Sequence, residues 1–321
     1  MDNRKFCPRC HAEVHPEAEG CYFCGERLPK PSFAKRFILP ILKCLGFYGF
    51  YMVVQTVITF AITIALTVLA SLSGTMPDEE GIMKLVYGNM PLIGILSAAL
   101  TVLGYFLFFK IRKDSLFKKL KIKPIRPTTS AAMVLFGISA LFAISLGLHF
   151  LYMLFPSLSQ GSASDEISEM LDSGNPVLQF INISVVTGII EETIFRGLIY
   201  NTLKKTMKIP AAVIISSVIF GIAHMNIEQF FYTTLLGALM ALVYERYGSI
   251  LAPIIVHATF NGSNYLLGIF NFKYFTPYFA LFIAAVGVLV LTAGTVFFSE
   301  REDASKITVI KGSAKSEKSK A

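Results

Sequence analysis

Charged residues are scarce in this chain. They make up 16% of its 321 residues, whereas hydrophobic residues make up 54%, and a typical soluble domain is about 25% charged. So little polarity cannot cover the surface of a water-soluble fold. The same composition excludes a disordered chain, a collagen-like repeat and a disulfide-rich scaffold. The sequence therefore predicts a polytopic membrane protein.

The chain also lacks two common targeting signals. Residues 1–37 are polar where a cleavable signal peptide would have an apolar core, so we expect the first hydrophobic segment to stay in the mature protein. The chain ends in Lys318-Ser-Lys-Ala321, which is not a prenylation motif.

Apolar stretches are abundant, and eight of them approach the length of about 20 residues that a helix needs to cross a bilayer. They are too long and too continuous for barrel strands. We therefore predict an all-α membrane protein with about eight transmembrane helices, over residues 44–72, 91–110, 130–155, 176–203, 209–226, 229–245, 249–270 and 276–298.

Basic residues are distributed unequally between the loops on the two sides of this arrangement. With both termini on one side, the loops of that side hold 26 of the 29 Lys and Arg residues. The opposite loops hold only Lys84 and Lys273, and the 157–175 loop is acidic. Because cytoplasmic loops are enriched in Lys and Arg, we expect both termini to be cytoplasmic, in a cell membrane. The positive charge needs no nucleic-acid partner.

Four cysteines are placed as two C-x-x-C knuckles, Cys7–Cys10 and Cys21–Cys24. Each knuckle can give two thiolates to one tetrahedral Zn²⁺, and a segment this small has no core of its own. The spacing resembles a zinc ribbon, with His11 where the first knuckle usually has glycine. Two disulfides fit poorly with a reducing cytoplasm, and a redox-active C-x-x-C lacks a thioredoxin-like pattern. We predict a structural Zn²⁺ held by Cys7, Cys10, Cys21 and Cys24.

These features divide the chain into four regions. Residues 1–28 form the zinc ribbon, which could recruit a protein partner, and 29–43 form a linker containing Pro29-Lys-Pro31. The membrane domain covers 44–298. Residues 299–321 are rich in Ser and Lys and predict a disordered cytoplasmic tail.

Ionisable side chains within the apolar stretches are few, and each is costly in hydrocarbon, so each is a candidate functional residue. They occur in three motifs at one-turn spacing. Counted at about 1.5 Å per residue, the three motifs reach a similar depth near the middle of the membrane. The motifs are Glu191-Glu192-x-x-x-Arg196, Phe220-x-x-x-His224 and His257-x-x-x-Asn261.

This set of side chains fits hydrolysis by activated water. A carboxylate and an imidazole can take a proton from water and pass it to a leaving amine, while a second His and an Asn amide can stabilise an oxyanion. No Ser or Cys nucleophile with an adjacent base is present. Alternatively the Glu and His residues could hold a catalytic Zn²⁺, although the spacing is not HExxH.

The three motifs, in this order on successive helices, resemble the CPBP family of CAAX proteases and bacteriocin-processing enzymes, also called the Abi family. The resemblance covers about residues 130–298 and implies an eight-helix intramembrane endopeptidase. By position, Glu191 would be the general base, assisted by His224. His257 and Asn261 would form the oxyanion hole, and Glu192 and Arg196 would orient the site. The family has been described both as glutamate-dependent and as metal-dependent.

Other functions use similar residues. An ion-coupled transporter also places carboxylates and His at mid-membrane, but it favours inverted repeats, and we see none between the halves of the chain. A non-catalytic membrane scaffold or immunity protein would keep the polar cluster for structure alone. For a peptidase, we expect a membrane-associated or lipidated peptide as substrate, because the site faces the membrane.

Overall fold

The computed structural model describes residues 5–14, 20–27, 32–74, 77–156, 174–269 and 278–294. Apart from one small hairpin it is helical, which confirms the predicted all-α class. The acidic residues of the 157–175 loop, the Pro29-Lys-Pro31 segment and the predicted tail 299–321 lie outside the described residues.

The ribbon is built on a two-stranded antiparallel sheet. Strand β1 (Lys5–Phe6) pairs with β2 (Glu13–Val14), with Lys5 opposite Val14. A single bridge joins Gly20 to Arg27 across the second knuckle. The buried apolar cluster of the ribbon consists of Val14 and cysteine side chains. Hydrophobic burial therefore contributes little to the stability of this region.

Ten helices are formed by the described residues, and each predicted segment corresponds to one of them. A π-helical turn, Ala34–Ile38, precedes the first helix. The helices are α1 (Leu39–Leu72), α2 (Glu79–Gly88), α3 (Met90–Ile111), α4 (Leu116–Leu120), α5 (Pro127–Leu154), α6 (Pro176–Leu203), α7 (Ile209–Ala223), α8 (Ile227–Tyr247), α9 (Leu251–Ile269) and α10 (Tyr278–Ala293).

The number of membrane crossings remains a prediction. Among the described residues, α1, α3, α5 and α6 are long and apolar enough to cross a bilayer. Helix α7 and the Leu281–Ala293 part of α10 are apolar but shorter. Helices α8 and α9 do not meet the same criterion, and both carry polar residues along their lengths.

Two short helices were not predicted. Helix α2 begins at an N-cap, where the Asp78 carboxylate accepts a hydrogen bond from the Gly81 amide at 2.9 Å. Its first turn contains Glu79 and Glu80, which suit the positive end of a helix dipole. Helix α4 follows Ser115, whose hydroxyl caps the Lys118 amide at 3.4 Å.

Helix α6 occupies the centre of the helical region. It packs against α1, α3, α7, α8 and α9, and 39% of its most apolar stretch is buried, compared with none of the corresponding stretch of α1. Helix α5 packs on α9 and α10. Glu192 and Arg196 of α6 are 0% and 2% exposed, so the arrangement places charged groups in the interior and apolar surface outside.

Helix α4 covers one end of α6. Leu120 is buried and packs directly against Gly197, where a Cβ would overlap its side chain. The Asn201 amide donates to the Lys119 carbonyl at 3.1 Å. The Ser249 hydroxyl donates to the Lys123 carbonyl at 2.6 Å. These contacts tie residues 116–123 to the ends of α6 and α9.

Candidate active site

Arg196 and Glu192 form a buried ion pair on α6. Arg196 Nη1 lies 2.7 Å from Glu192 Oε1, and the two side chains are 2% and 0% exposed. Arg196 Nη2 donates to the Gly237 carbonyl of α8 at 2.9 Å, and the guanidinium lies 4.7 Å from the centroid of the Phe220 ring. The cation is therefore held by a carboxylate, a carbonyl and an aromatic face.

His257 connects α9 to both carboxylates. Its Nδ1 lies 2.8 Å from Glu192 Oε1, and its Nε2 lies 3.6 Å from Glu191 Oε2. Because a carboxylate accepts hydrogen bonds, Nδ1 is the nitrogen that carries the proton toward Glu192. The second ring nitrogen is then directed toward Glu191.

Glu191 is the carboxylate with access to open space. Its side chain is 19% exposed, in contrast to the fully buried Glu192. Its Oε2 has no hydrogen-bond partner among the described residues. It lines a cavity of about 50 Å³ together with Tyr48, Tyr51, Phe195, Ala223 and His224.

His224 lies at the end of α7 rather than within a longer span. Helix α7 ends at Ala223, three residues before the predicted end, because Met225 adopts a left-handed conformation with φ of 50°. His224 Nδ1 lies 2.8 Å from the Phe220 carbonyl, which can only accept, so Nδ1 is the protonated nitrogen. Nε2 remains available on the side chain that lines the cavity with Glu191.

Asn261 lies one turn beyond His257 on α9. Its amide nitrogen donates to the Ile183 carbonyl of α6 at 3.2 Å. No contact with either Glu is described for it, so the structure places it beside the cluster and outside the direct network. The other N–H of its amide is not used in this contact.

The backbone of α6 is irregular around the cluster. Residues Thr193–Tyr200 and Ile181–Val186 are π-helical, a geometry that is rare in proteins and frequent at functional sites. Glu191 and Glu192 lie in the short α-helical piece between them. The motif spacing did not indicate these π-helical segments.

Three contributors to the cluster were not singled out as site residues from the sequence. Gly237 supplies a carbonyl to Arg196, and a Cβ there would lie 3.1 Å from Phe220. Tyr48 and Tyr51 belong to α1, outside the 130–298 range of the resemblance, and Tyr48 donates to the Ala223 carbonyl at 2.8 Å. Neither a tyrosine near the start of an apolar stretch nor a glycine within such a stretch belongs to a recognisable sequence motif.

The four ribbon cysteines converge on one point. Their sulfur atoms all lie within 4.8 Å of one another, and the Cys7–Cys24 and Cys10–Cys21 pairs are each 3.5 Å apart. Tetrahedral Zn²⁺ with bonds of about 2.3 Å separates its sulfurs by about 3.8 Å. His11 and Gly25, which end the two knuckles, both have positive φ, 55° and 71°. The donor set fits a metal ion such as Zn²⁺.

The thiols of the ribbon influence one another's ionisation. Desolvation opposes the Cys7 thiolate, but hydrogen bonds from the Cys10 and Arg9 backbone and the Cys24 thiol outweigh it and lower the pKa of Cys7 to about 6. A backbone hydrogen bond at Glu26 favours the Cys24 thiolate, yet desolvation and the neighbouring thiols raise its pKa to about 12. A divalent cation would remove this conflict.

Comparison with known proteins identifies the region around the cluster. Residues 173–263 match the family described as type II CAAX prenyl endopeptidase Rce1-like. The match covers less than a third of the chain. This Rce1-like region includes Glu191, Glu192, Arg196, His224, His257 and Asn261. The apolar helices and this match indicate an integral membrane protein.

A curated relative supports the same conclusion over a part of the chain. This chain is 35% identical over 102 residues to "Putative membrane peptidase YdiL" of Bacillus subtilis (strain 168). The aligned region is 32% of this chain and 42% of the relative, so it spans less than half of each. No solved structure matches the chain.

Proposed function

We propose that this protein is an intramembrane endopeptidase that hydrolyses a peptide bond by means of water activated by Glu and His. The observation that carries the proposal is that the partly exposed Glu191 and the end-of-helix His224 line one small cavity inside a helical membrane protein. The Rce1-like match and the relative named as a membrane peptidase support the same reaction class.

Glu191 is the proposed general base. Its side chain is 19% exposed and lines the cavity, so its carboxylate can accept a proton from a water molecule there. His224, with Nδ1 bound to the Phe220 carbonyl, presents Nε2 as the group that assists the water and carries a proton to the leaving amine.

His257 and Asn261 are the proposed oxyanion hole. His257 Nδ1 lies 2.8 Å from Glu192 Oε1. To donate to the oxyanion, His257 needs a proton on Nε2 as well as the one on Nδ1. Glu192 and Arg196 act by orienting His257, since neither is exposed to the cavity.

The substrate class proposed is a membrane-associated or lipidated peptide, because a cavity within the bundle is most accessible to a chain that is already held at the bilayer. We place both termini on the cytoplasmic side of the cell membrane on the strength of the Lys and Arg distribution. The four ribbon thiolates are proposed to hold a structural Zn²⁺.

Cleavage of a membrane-tethered peptide library by the purified protein tests the proposal. Glu191→Gln keeps the shape of the side chain and removes the base, so we expect cleavage to fall by about 10²–10⁴-fold. The matched control is Glu245→Gln, which removes a carboxylate paired with Lys204 at 2.7 Å outside the cavity and should change the rate by less than about threefold. Unchanged cleavage by Glu191→Gln would contradict the assignment.

The same preparation distinguishes the two mechanisms left open for the family. One zinc per chain is the amount that the ribbon accounts for by itself. A second equivalent of metal, lost together with activity on chelation and restored with it, would indicate a metal-activated water in place of a glutamate-activated one.

A further inference from the structure

The second knuckle of the ribbon displays two aromatic side chains to solvent. Tyr22 and Phe23, the residues between its cysteines, are 81% and 77% exposed. We call this pair the aromatic knuckle. The equivalent positions of the first knuckle hold Pro8 and Arg9, so the fold of a C-x-x-C knuckle does not require aromatic residues there.

An exposed pair of aromatic residues on so small a domain indicates contact with an apolar partner. Tyr22 and Phe23 contribute nothing to the buried cluster of the ribbon, which consists of Val14 and cysteine side chains. Contiguous exposed apolar surface generally marks a site of contact with another protein or with a membrane. The aromatic rings of Tyr and Trp are typical of the membrane–water interface, and Phe is common on interfacial helices.

The connection to α1 places the ribbon beside the bilayer. Arg27 and Ser32 are five residues apart, so the chain cannot separate their Cα atoms by more than about 18 Å. Helical structure begins directly after Ser32 and continues into α1. The apolar side chains of Leu39 and Leu42 are already 46% and 56% exposed on the outside of the bundle. The aromatic knuckle is therefore within reach of the headgroup region.

The charge of this part of the chain suits the same surface. Residues 1–43 contain eight Lys and Arg residues and five Asp and Glu residues. Four thiolates with one Zn²⁺ add two negative charges, so the zinc-loaded segment keeps a net charge of about +1 and is attracted weakly to anionic headgroups. We propose that Tyr22 and Phe23 insert into the headgroup region of the bilayer, on the side where α1 begins. The proposal depends neither on the peptidase activity nor on which side of the membrane is cytoplasmic.

A single-tryptophan reporter tests this insertion in the full-length protein. The chain contains no tryptophan, so Phe23→Trp introduces the sole indole. The variant is reconstituted with zinc into vesicles of phosphatidylcholine and phosphatidylglycerol, with either ordinary or brominated acyl chains. Bromine quenches only an indole that touches the lipid, and we expect brominated vesicles to reduce the emission by about half.

The matched control is Arg9→Trp, which puts an indole at the same position of the other knuckle. We expect its emission to fall by less than about a tenth in brominated vesicles. Zinc released per chain by a mercurial reagent shows that the ribbon is intact in both variants. If an intact Phe23→Trp protein gave the same emission in brominated and ordinary vesicles, the proposal would be overturned. Equal quenching of both variants would overturn it as well, because the whole ribbon would then adsorb without a preferred face.

Discussion

The ribbon and the membrane domain each bring together side chains that carry like charge when ionised. The two regions compensate the repulsion between those side chains differently. In the ribbon, four cysteine sulfurs lie within 4.8 Å of one another. In the membrane domain, Glu191 and Glu192 both approach His257, at 3.6 Å and 2.8 Å. Among the described ribbon residues, no cationic side chain is paired with the sulfurs, whereas the membrane domain supplies Arg196 from the same helix as the two carboxylates.

This difference separates what holds each region together. The ribbon has almost no apolar core, so we expect its structure to depend on a bound metal, which a chelator can remove. The charged cluster of α6 is enclosed by a large apolar core, and its compensating charge is covalently part of the chain. The first region should therefore respond to chelators, and the second only to mutation.

Removing the metal should have the largest effect, and it should be confined to the ribbon. Binding of Zn²⁺ to such a site contributes about 10–16 kcal/mol at neutral pH. After chelation we expect amides such as Cys7 and Gly25, which bond to the Ala12 and Cys21 carbonyls at 3.0 and 2.9 Å, to exchange hydrogen as in an unfolded peptide. Peptide-resolved hydrogen exchange measures this.

The amides of α6 serve as the internal control for chelation. Their exchange should not change, because no ribbon residue contributes to the α6 cluster. If protection of α6 fell together with that of the ribbon, the two regions would be one cooperative unit, and the comparison between them would be wrong.

Replacing the internal cation should have the next largest effect. Arg196→Met removes the guanidinium that pairs with the buried Glu192 carboxylate, so we expect the free energy of unfolding in detergent to fall by about 3–5 kcal/mol. Arg112→Met is the control, since Arg112 is exposed and lies 5.6 Å from the Phe108 ring. Its loss should cost less than about 1 kcal/mol.

A second substitution tests whether charge compensation is the cause. Glu192→Gln in the Arg196→Met background removes the unpaired charge and should restore part of the lost stability. A double variant no more stable than Arg196→Met alone would show that the uncompensated charge of Glu192 is not the cause of the loss.

The close approach of α8 to this cation predicts a smaller effect. At Gly237 a Cβ would lie 3.1 Å from Phe220 Cδ1 and 3.3 Å from Arg196 Nη2, so Gly237→Ala should lower the free energy of unfolding by about 1–3 kcal/mol. Gly49→Ala in α1 is the control, because nothing lies within 4 Å of its Cβ position. It should be neutral or slightly stabilising, through better helix propensity. Equal costs for the two would exclude steric crowding as the cause.

Features of the two regions that depend on the local spacing of residues could be predicted from the sequence. Two C-x-x-C knuckles indicated one metal site, and the i,i+4 spacing of Glu192 and Arg196 placed them on one helix face, where the structure pairs them at 2.7 Å. Counting residues from the ends of the helices gave a common depth for motifs on α6 and α9. The contact between His257 and Glu192 agrees with that depth.

The parts that depend on distant contacts or on backbone detail could not be predicted. Gly237 and Arg196 are 41 residues apart, and no pattern in the sequence links them. The early end of α7 depends on one left-handed residue, Met225, which is not a type that favours this conformation. Helix α2 does have a local signal, Asp78-Glu-Glu80, in which an N-cap residue is followed by two acidic residues in the first turn.

The smallest effect is expected at a partly exposed ion pair, where water screens both charges. Asp114 Oδ2 lies 2.6 Å from Lys119 Nζ, with side chains 32% and 24% exposed. The hydrogen bond from Lys119 holds the pKa of Asp114 below its ordinary value of 3.8. A carboxyl with a lowered pKa stabilises the fold above that ordinary value, and the contribution is lost as the pH falls through the folded-state value. At pH 7 it is fully present.

Asp114→Asn at pH 7 should therefore loosen α4 only slightly. Because water already screens the pair, we expect the protection of the α4 amides to fall by about 0.2–1 kcal/mol in hydrogen exchange. The control is Glu80→Gln on α2, whose partner Lys84 lies at 2.6 Å with both side chains more than 60% exposed; its effect should be still smaller. If Asp114→Asn cost as much as Arg196→Met, burial would not determine what an ion pair contributes here, and the distinction between internal and solvent compensation would not hold.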